Sequence, residues 1–509
     1  MALAFLRSKA RWVGALAGIA SAAVAIGLAE LIAALVGPNS APIVAVGEVV
    51  IDATPLPVKE FAADTFGTSD KTALKIGIYI LLTIFAAIVG MLAQRDIRFG
   101  YAGIGFFGLI GVVAAVTRHG AAVSAALPSL IGAVAGAVLL YELLVGPRTR
   151  RPDLQTSGGR RSVLIGSGLA IVGAGVAGVI GRNISDSKNV SEQRKAVQLP
   201  APRETAPALP PDAAMPGQTP FVTANGDFYR IDVEFIVPQV DPSDWTLTID
   251  GLVSNKLTLT YDQLLARPMI ERYITLCCVS NEVGGDLISN AKFLGVRLKD
   301  LLEEAGVAPD ADQVVGRSTN GFTAGAPTSV IMDGRDAMIA VGMNGVPLPV
   351  EHGFPARMVV PGLYGYVSAT KWLTEIELAR FSDFNAYWIP RGWSQLGPVK
   401  TESRIDTPRN DASKPAGKIT VAGVAWAQHR GISKVEVQVD NDPWQEATLD
   451  AVPSTDTWRQ WYWVWDAAPG NHIVRVRATD NAGETQTADV ADVAPNGATG
   501  YHTIKVTIK

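Results

Sequence analysis

"LCCVSNEVGGDLISNAKFLGVRLKDLLEEAG", residues 276–306, holds both cysteines of a 509-residue chain, and they are adjacent. A disulfide wants Cα atoms about 4.4–6.8 Å apart with converging Cβ vectors, which strains the peptide between neighbours. A bridge between Cys277 and Cys278 is therefore the poor reading. Each sulfur is left with two roles, a small buried hydrophobe or a thiolate put to chemical use. The end of the stretch, "LKDLLEEAG", reads as a short helix.

On the N-terminal side the composition changes character. Hydrophobic residues make up 48% of the chain and glycine occupies 50 positions, and the excess sits in the first 181 residues. Five apolar segments, 12–37, 73–93, 99–117, 120–146 and 162–181, each approach the roughly 20 residues that a bilayer-spanning helix needs. Residues 1–181 are thus expected to form an all-α bundle of five membrane spans. Cytoplasmic loops collect basic residues. Arg7, Lys9 and Arg11 precede the first segment, Arg95 and Arg98 separate the second from the third, and Arg148, Arg150, Arg151, Arg160 and Arg161 separate the fourth from the fifth. The loops 38–72 and 117–120 carry few. An odd number of spans then puts everything after residue 181 outside the cytoplasm, tied to the lipid of the cell membrane by several passes. The first segment lacks a small-residue cleavage site and can serve as an anchor. Arg160 and Arg161 stand directly before a short glycine-rich span, "GGRRSVLIGSGLAIVGAGVAG", which has the look of a twin-arginine export signal. An ordinary positive-inside anchor would carry the same pair.

The polar remainder divides by pattern. Residues 182–218 are polar and then proline-rich, a composition that favours extended polyproline II and reads as a linker. Residues 219–400 mix strands ("DWTLTIDGLV", "ARMVVPG") with short helices ("TYDQLLARP", "LKDLLEEAG"), which predicts an α+β domain. Residues 401–509 give short alternating strands, with Val435, Val437 and Val439 on one face and Trp461, Trp463 and Trp465 on another. That pattern predicts an all-β, immunoglobulin-like sandwich. The tryptophan row reads as core packing rather than as a carbohydrate platform.

Familiar constellations are absent. No GxSxG, HExxH, CxxC or CxxCH occurs, so a nucleophile-elbow hydrolase, a zincin, a thioredoxin-like site and a c-type haem lack their signatures. Of five histidines only His119 falls in the first 181 residues, so the bundle cannot ligate a bis-histidine haem. A net charge of −4 gives no reason to expect nucleic acid.

Residues 276–306 resemble the cofactor domain of the sulfite oxidase family of molybdenum enzymes, where a ligand cysteine, a short loop and a "G-V-x-L-x-x-L-L" helix follow one another. Two more segments match in order, "TANGDFYRID" at 223–232 and "EHGFPARMVVPGLYGYVSATKWL" at 351–373, and the resemblance covers residues 215–509. It implies molybdopterin with molybdenum as cofactor, bound to Cys278 as the metal ligand and catalytic residue, with Cys277 as a packed neighbour. A soft thiolate suits a redox metal. By the same resemblance Asn225, Phe228 and Tyr229 pack and hydrogen-bond the pterin, and Ser318 brings a hydroxyl near it. His352, Arg357, Ser368, Thr370 and Lys371 resemble the pocket for the pterin phosphate, which arginine meets through paired hydrogen bonds. The final domain looks like the family's dimerisation domain, which implies a homodimer.

Departures bear on the substrate. Sulfite-oxidising members follow the ligand with "x-G-N-R-R", whereas Glu282 and Val283 stand at the arginine positions, and Ala224 replaces an arginine upstream. A carboxylate near the metal repels a sulfite dianion strongly if desolvated, and far less if it points to water. The methionine sulfoxide reductase branch also lacks those arginines and works outside the cytoplasm. The expected function is therefore extracytoplasmic oxygen-atom transfer on a small or protein-bound S-oxide or N-oxide. A separate membrane or soluble electron-transfer protein would serve as partner. Two other readings compete: a membrane-bound sensor or binding module whose middle domain is inactive, and a transporter suggested by Glu30 inside the first span.

Overall fold

A computed structural model describes residues 2–66, 69–118, 121–146, 157–187, 189–209, 215–231 and 233–509. His119, Arg148, Arg150 and Arg151 lie outside the described residues, as does the side chain of Arg160. The chain divides into two compact units, Met1–Asn189 with Val233–Val237, and Val190–Asp232 with Pro238–Lys509.

The described elements of the first unit are helices: α1 (Ala2–Val36), α2 (Pro42–Ala53), α3 (Leu56–Phe66), α4 (Asp70–Ala93), α5 (Ile97–Val116), α6 (Leu127–Leu144) and α7 (Ser157–Ser187). Five segments are long and apolar enough to cross a membrane: Arg11–Val36, Lys71–Ala93, Ile97–Val116, Val123–Leu144 and Arg161–Gly181. These are the five segments expected from composition. In lipid the drive to associate comes from close packing, so small residues gather at helix contacts. Here α1 is the hub, packing on α4, α6 and α7. A Cβ at Gly18 would strike the backbone of Ala86 and Gly90, and one at Gly132 would strike Ala25. The outward faces carry Leu81, Leu169 and Val172, each about two-thirds exposed. Residues 38–72, expected as a loop, contain α2 and α3 instead. On α2, Ile43 and Val44 are buried, a tertiary contact that sequence periodicity did not single out, whereas Val58, Phe61 and Phe66 of α3 are exposed.

The second unit begins with α8 (Ser191–Ala196) and an extended strap. Residues 182–218 are therefore not a free linker throughout. Arg203 N–H donates to Met269 O at 2.8 Å and Glu271 N–H to Glu204 O at 2.8 Å, and Val190 is buried in the core. Extended proline-rich backbone leaves its remaining donors and carbonyls for a neighbouring strand, and one is at hand.

Two sheets follow, one mixed and one antiparallel. In one the order is β2 (Leu257–Thr260), β1 (Thr246–Gly251), β10 (Leu373–Ala379), β5 (Gln313–Ser318), β6 (Thr323–Pro327), with β1 and β10 parallel. In the other it is β3 (Met269–Cys277), β4 (Ile288–Arg297), β7 (Met338–Met343), β8 (Val346–Pro347), with β9 (Arg357–Val359) also on β7. "TYDQLLARP" gives α9 (Tyr261–Leu265), begun by a Thr260–Gln263 capping box. "LKDLLEEAG" gives α10 (Leu298–Ala305), which buries Leu298, Leu301, Leu302 and Ala305 and stops at Gly306 with φ +70°. The α+β expectation matches this arrangement.

The C-terminal residues form two further sheets, β11 (Glu402–Thr407), β13 (Gly417–Trp426), β17 (Arg459–Ala467), β16 (Thr448–Leu449), and β12 (Ala412–Lys414), β19 (His502–Ile508), β18 (Gly470–Asp480), β14 (Ile432–Val439), β15 (Gln445–Glu446). One core between them takes Val435, Val437, Val439, Trp461 and Trp465, with Trp463 packed at its margin. The tryptophan row is packing. This region is not a separate body, since it shares the second unit with the α+β part.

Candidate functional site

Cys277 ends β3 and is 1% exposed, while Cys278 begins the connection to β4 and is 9% exposed. The loop is closed at its base by Cys278 N–H donating to Leu287 O at 2.9 Å. Inside it Asn281 Oδ1 accepts from Leu287 N–H at 2.8 Å, and Asn281 N–H donates to Cys278 O at 3.1 Å. The two sulfurs differ in surroundings. Burial pushes both thiols up, but at Cys278 hydrogen bonds from the Ser280 N–H, the Ser280 hydroxyl and the Val279 N–H oppose it. Donors aimed at a sulfur favour its anion. The Cys277 thiol instead donates to Cys278 O at 3.4 Å, and the charge of Glu402 raises it further.

The upstream and downstream segments converge on this loop. Asn225 Oδ1 accepts from Asn344 Nδ2 at 2.8 Å. Phe228 stacks on Tyr229 with centroids 5.4 Å apart and meets His352 edge-on at 5.4 Å. Tyr229 N–H donates to Ser289 Oγ at 3.1 Å, which ties it to β4. Burial, then the charges of Cys278 and Cys277, push its phenol well above the usual range, opposed by Arg357. One ring thus senses both the sulfurs and the guanidinium. Burial, then the charge of Arg357, push His352 down to about 4. At neutral pH its uncharged ring donates from Nε2 to Asn225 O at 3.1 Å. Gly353, at φ +108°, brings the turn so close that a Cβ would lie 3.0 Å from Lys371 Cα and 3.2 Å from Arg357 Cβ.

Other expected side chains are engaged with the fold. The Ser368 hydroxyl donates to Leu363 O at 3.0 Å and that of Thr370 to Gly316 O at 3.4 Å, both fully buried. Lys371 Nζ donates to Glu351 O at 3.3 Å and lies 4.7 Å from the Trp372 ring centroid.

A bound anionic pterin can be tested against these residues. Arg357 is 5% exposed, gives Nη1 to His352 O at 3.2 Å, and leaves Nε buried without a partner. It has no carboxylate partner among the described residues, and burial pushes it down only to about 10, so it is charged at neutral pH. Burying an uncompensated cation is costly, and an anion would offset that cost. Ser318 Oγ and Asn281 Nδ2 are also buried and unpartnered. These donors fit a polar ligand. Asn281 was missing from the expected site although it stands at the asparagine of the "x-G-N-R-R" pattern, so the signal was present. Glu402, Arg404 and His502 near the loop come from the C-terminal strands, and no local motif announces them.

Residues 234–388 match the family described as "Oxidoreductase molybdopterin binding domain". The chain is 28% identical over 374 residues to mitochondrial sulfite oxidase of Drosophila melanogaster, an alignment covering 62% of this chain and 64% of that one. It is 28% identical over 322 residues to the human mitochondrial enzyme, covering 54% and 58%. Nitrate reductase [NAD(P)H] of Hordeum vulgare is 27% identical over 285 residues, covering 45% and 32%. The chain thus spans less than two-thirds of the length of these relatives. Among solved structures, the sulfane dehydrogenase SoxCD of Paracoccus pantotrophus has the same fold over 57% of this chain and 82% of that one, with a TM-score of 0.51 and 23% identity. The chain therefore carries a molybdopterin-binding oxidoreductase domain. That domain, the sulfite oxidase relatives and the shared fold support a place in the sulfite oxidase family of molybdopterin-dependent oxidoreductases, whose cofactor is molybdopterin with molybdenum.

Proposed function

We propose that this protein is a membrane-anchored, extracytoplasmic molybdopterin oxidoreductase that removes an oxygen atom from an S-oxide or N-oxide rather than oxidising sulfite. The bound cofactor supplies two-electron oxygen-atom chemistry. Everything else falls to the chain. Cys278 would hold the metal as thiolate, steadied by the Val279 and Ser280 donors. Arg357, His352 and Lys371 would hold the phosphate end, and Asn225, Phe228, Tyr229 and Ser318 the pterin. In the net reaction the S–O bond breaks and sulfur takes two electrons. The oxygen leaves as water with two protons, and the electrons come from a separate electron-transfer protein. The C-terminal sheets are read as immunoglobulin-like.

The observation that carries the substrate reading is the loop after Cys278. Glu282 is exposed to water, so its repulsion of an anion is screened. The weight falls on missing cations. Val283 and Ala224 supply none, and Arg404, the cation the structure does bring to this loop, is engaged by Asp406 at 2.7 Å and by Gly285 O at 2.7 Å. A neutral oxide needs no such charge. Metal analysis of the detergent-solubilised protein, followed by turnover of S-oxides, N-oxides and sulfite, tests the proposal. We expect molybdenum near one per chain and kcat/KM for an oxide above that for sulfite. Sulfite turning over faster would overturn the substrate reading, and absence of molybdenum from protein matured in a cofactor-producing host would favour the sensor.

A further inference from the structure

The loop that carries Cys278 is gripped from outside by the C-terminal sheets. Arg404, on β11 and 9% exposed, donates from Nη1 to Gly285 O at 2.7 Å, from Nη2 to Thr219 Oγ1 at 2.9 Å and from Nε to Asp406 Oδ1 at 2.7 Å. One planar fork thus joins three separate chain segments, which a lysine cannot do. Beside it the His502 ring lies against Gly284, where φ is +81° and no Cβ would fit. Its Nδ1 accepts from Ile405 N–H at 2.9 Å. The strand leading to the cysteines is held as well. Thr275 N–H donates to Asp456 O at 2.9 Å, Thr275 Oγ1 accepts from Trp458 N–H at 2.8 Å, and Gln428 Nε2 donates to Thr275 O at 3.3 Å. A buried guanidinium–carboxylate pair is seldom a gain over apolar packing. Its directional bonds here define the geometry of one loop.

We infer that the C-terminal sheets are a working part of the metal site, with Arg404 as the positioning residue that holds loop 279–286 and so aims the Cys278 sulfur and the Asn281 amide. This rests on the assignment of Cys278 as metal ligand, but the brace itself is a property of the polypeptide. Satisfying the Gly285 carbonyl from one side leaves that peptide a single orientation. The Leu287–Asn281 and Cys278–Leu287 bonds close the loop from the other.

Hydrogen exchange on cofactor-free full-length protein in detergent, comparing the unaltered chain with Arg404→Met and Arg404→Lys, reads the brace directly. In Arg404→Met the amides of Asn281, Gly285 and Leu287 should exchange about tenfold or more faster, with β13 and β18 unchanged and Arg404→Lys falling between. In loaded protein the same Arg404→Met should keep its pterin content within about twofold, shift the Mo(V) paramagnetic signature, and lower kcat about tenfold with KM little changed. Unchanged loop exchange would overturn the inference, and so would uniform acceleration across both sheets, which would make Arg404 a general stabiliser. If Arg404→Met does not accumulate, His502→Ala carries the test: faster exchange confined to 279–287 supports the brace, and its absence overturns it. A chain that holds no molybdenum still yields the exchange result, so failure of the functional reading and failure of the brace are told apart.

Discussion

Two adjacent sulfurs with different neighbours give the sharpest residue-scale expectations. Cys278→Ser should abolish turnover and lower metal content at least tenfold, because a hydroxyl near neutral pH is a poor substitute for a thiolate. Cys277→Ser, in a site made of packing, should keep most activity and cost about 1–2 kcal/mol. The reverse pattern, measured by metal analysis and turnover, would mean the other sulfur is the ligand. Arg357→Ala should lower pterin occupancy about tenfold without changing which oxide is preferred. Glu402 offers a pH test. It is 4% exposed with one carboxyl oxygen unpartnered, and burial, opposed by Lys400, pushes it up to about 8. A carboxyl raised above its unfolded value contributes stability that is complete below about pH 4.5, declines above it and is lost as pH rises through about 8. Glu402→Gln should remove that decline, a difference on the order of 4 kcal/mol by pH 8. Parallel melting-temperature profiles for the two proteins between pH 5 and 8 would contradict it.

At the scale of elements, the strap 198–209 shows how composition and context part company. Its prolines suit an extended chain, and extended it is, yet it lies along β3. Glu204 pins it, with Arg297 Nη2 at 3.0 Å and Arg272 as a second partner, and Asp336 closes the network through Arg297 at 2.9 Å. Arg297, then Arg272, hold the Glu204 carboxyl down at about 2 through hydrogen bonds. Its side chain is 43% exposed, so Glu204→Ala should move the melting temperature of the protein by no more than a degree or two. It should nevertheless speed exchange of the Arg203 and Glu271 amides several-fold, because the strap's remaining bonds there are few. Equal exchange in both proteins would show that the backbone bonds alone hold it. The short helices after α1 teach a related lesson. The buried apolar residues of α2 are covered only once α4 and α5 stand beside it.

For the whole molecule, the proposed extracytoplasmic placement of the second unit carries a prediction about export. On the proposed reading, a domain that takes up molybdopterin where the cofactor is made would cross already folded, with Arg160 and Arg161 as the guanidinium pair that an export receptor would read. Replacing both by Lys keeps the positive charge that orients a span. We expect a stable protein in which an epitope added after Lys509 is reached by antibody from outside in the unaltered chain and is hidden in the double-lysine variant. Equal labelling would reduce the pair to topological charges.

Five apolar segments of spanning length were legible because hydrophobic length is a property of composition alone, and lipid requires it whatever the packing. The short helices α9 and α10 were legible from their apolar patterning, the tryptophan row from its alternation, and Cys278 as a candidate ligand from a resemblance over some thirty residues. Each of these signals is local in sequence. The folded chain alone decided the rest. Arg404, Glu402 and His502 come to the Cys278 loop from more than 110 positions away, through sheet packing that no spacing encodes. The different surroundings of the two sulfurs follow from which N–H and hydroxyl groups end up pointing at them. Glu282 turns to water, which shifted the substrate argument from repulsion to missing cations. Electrostatics and hydrogen bonding act through distances in space, and those exist only after the sheets have closed around the site.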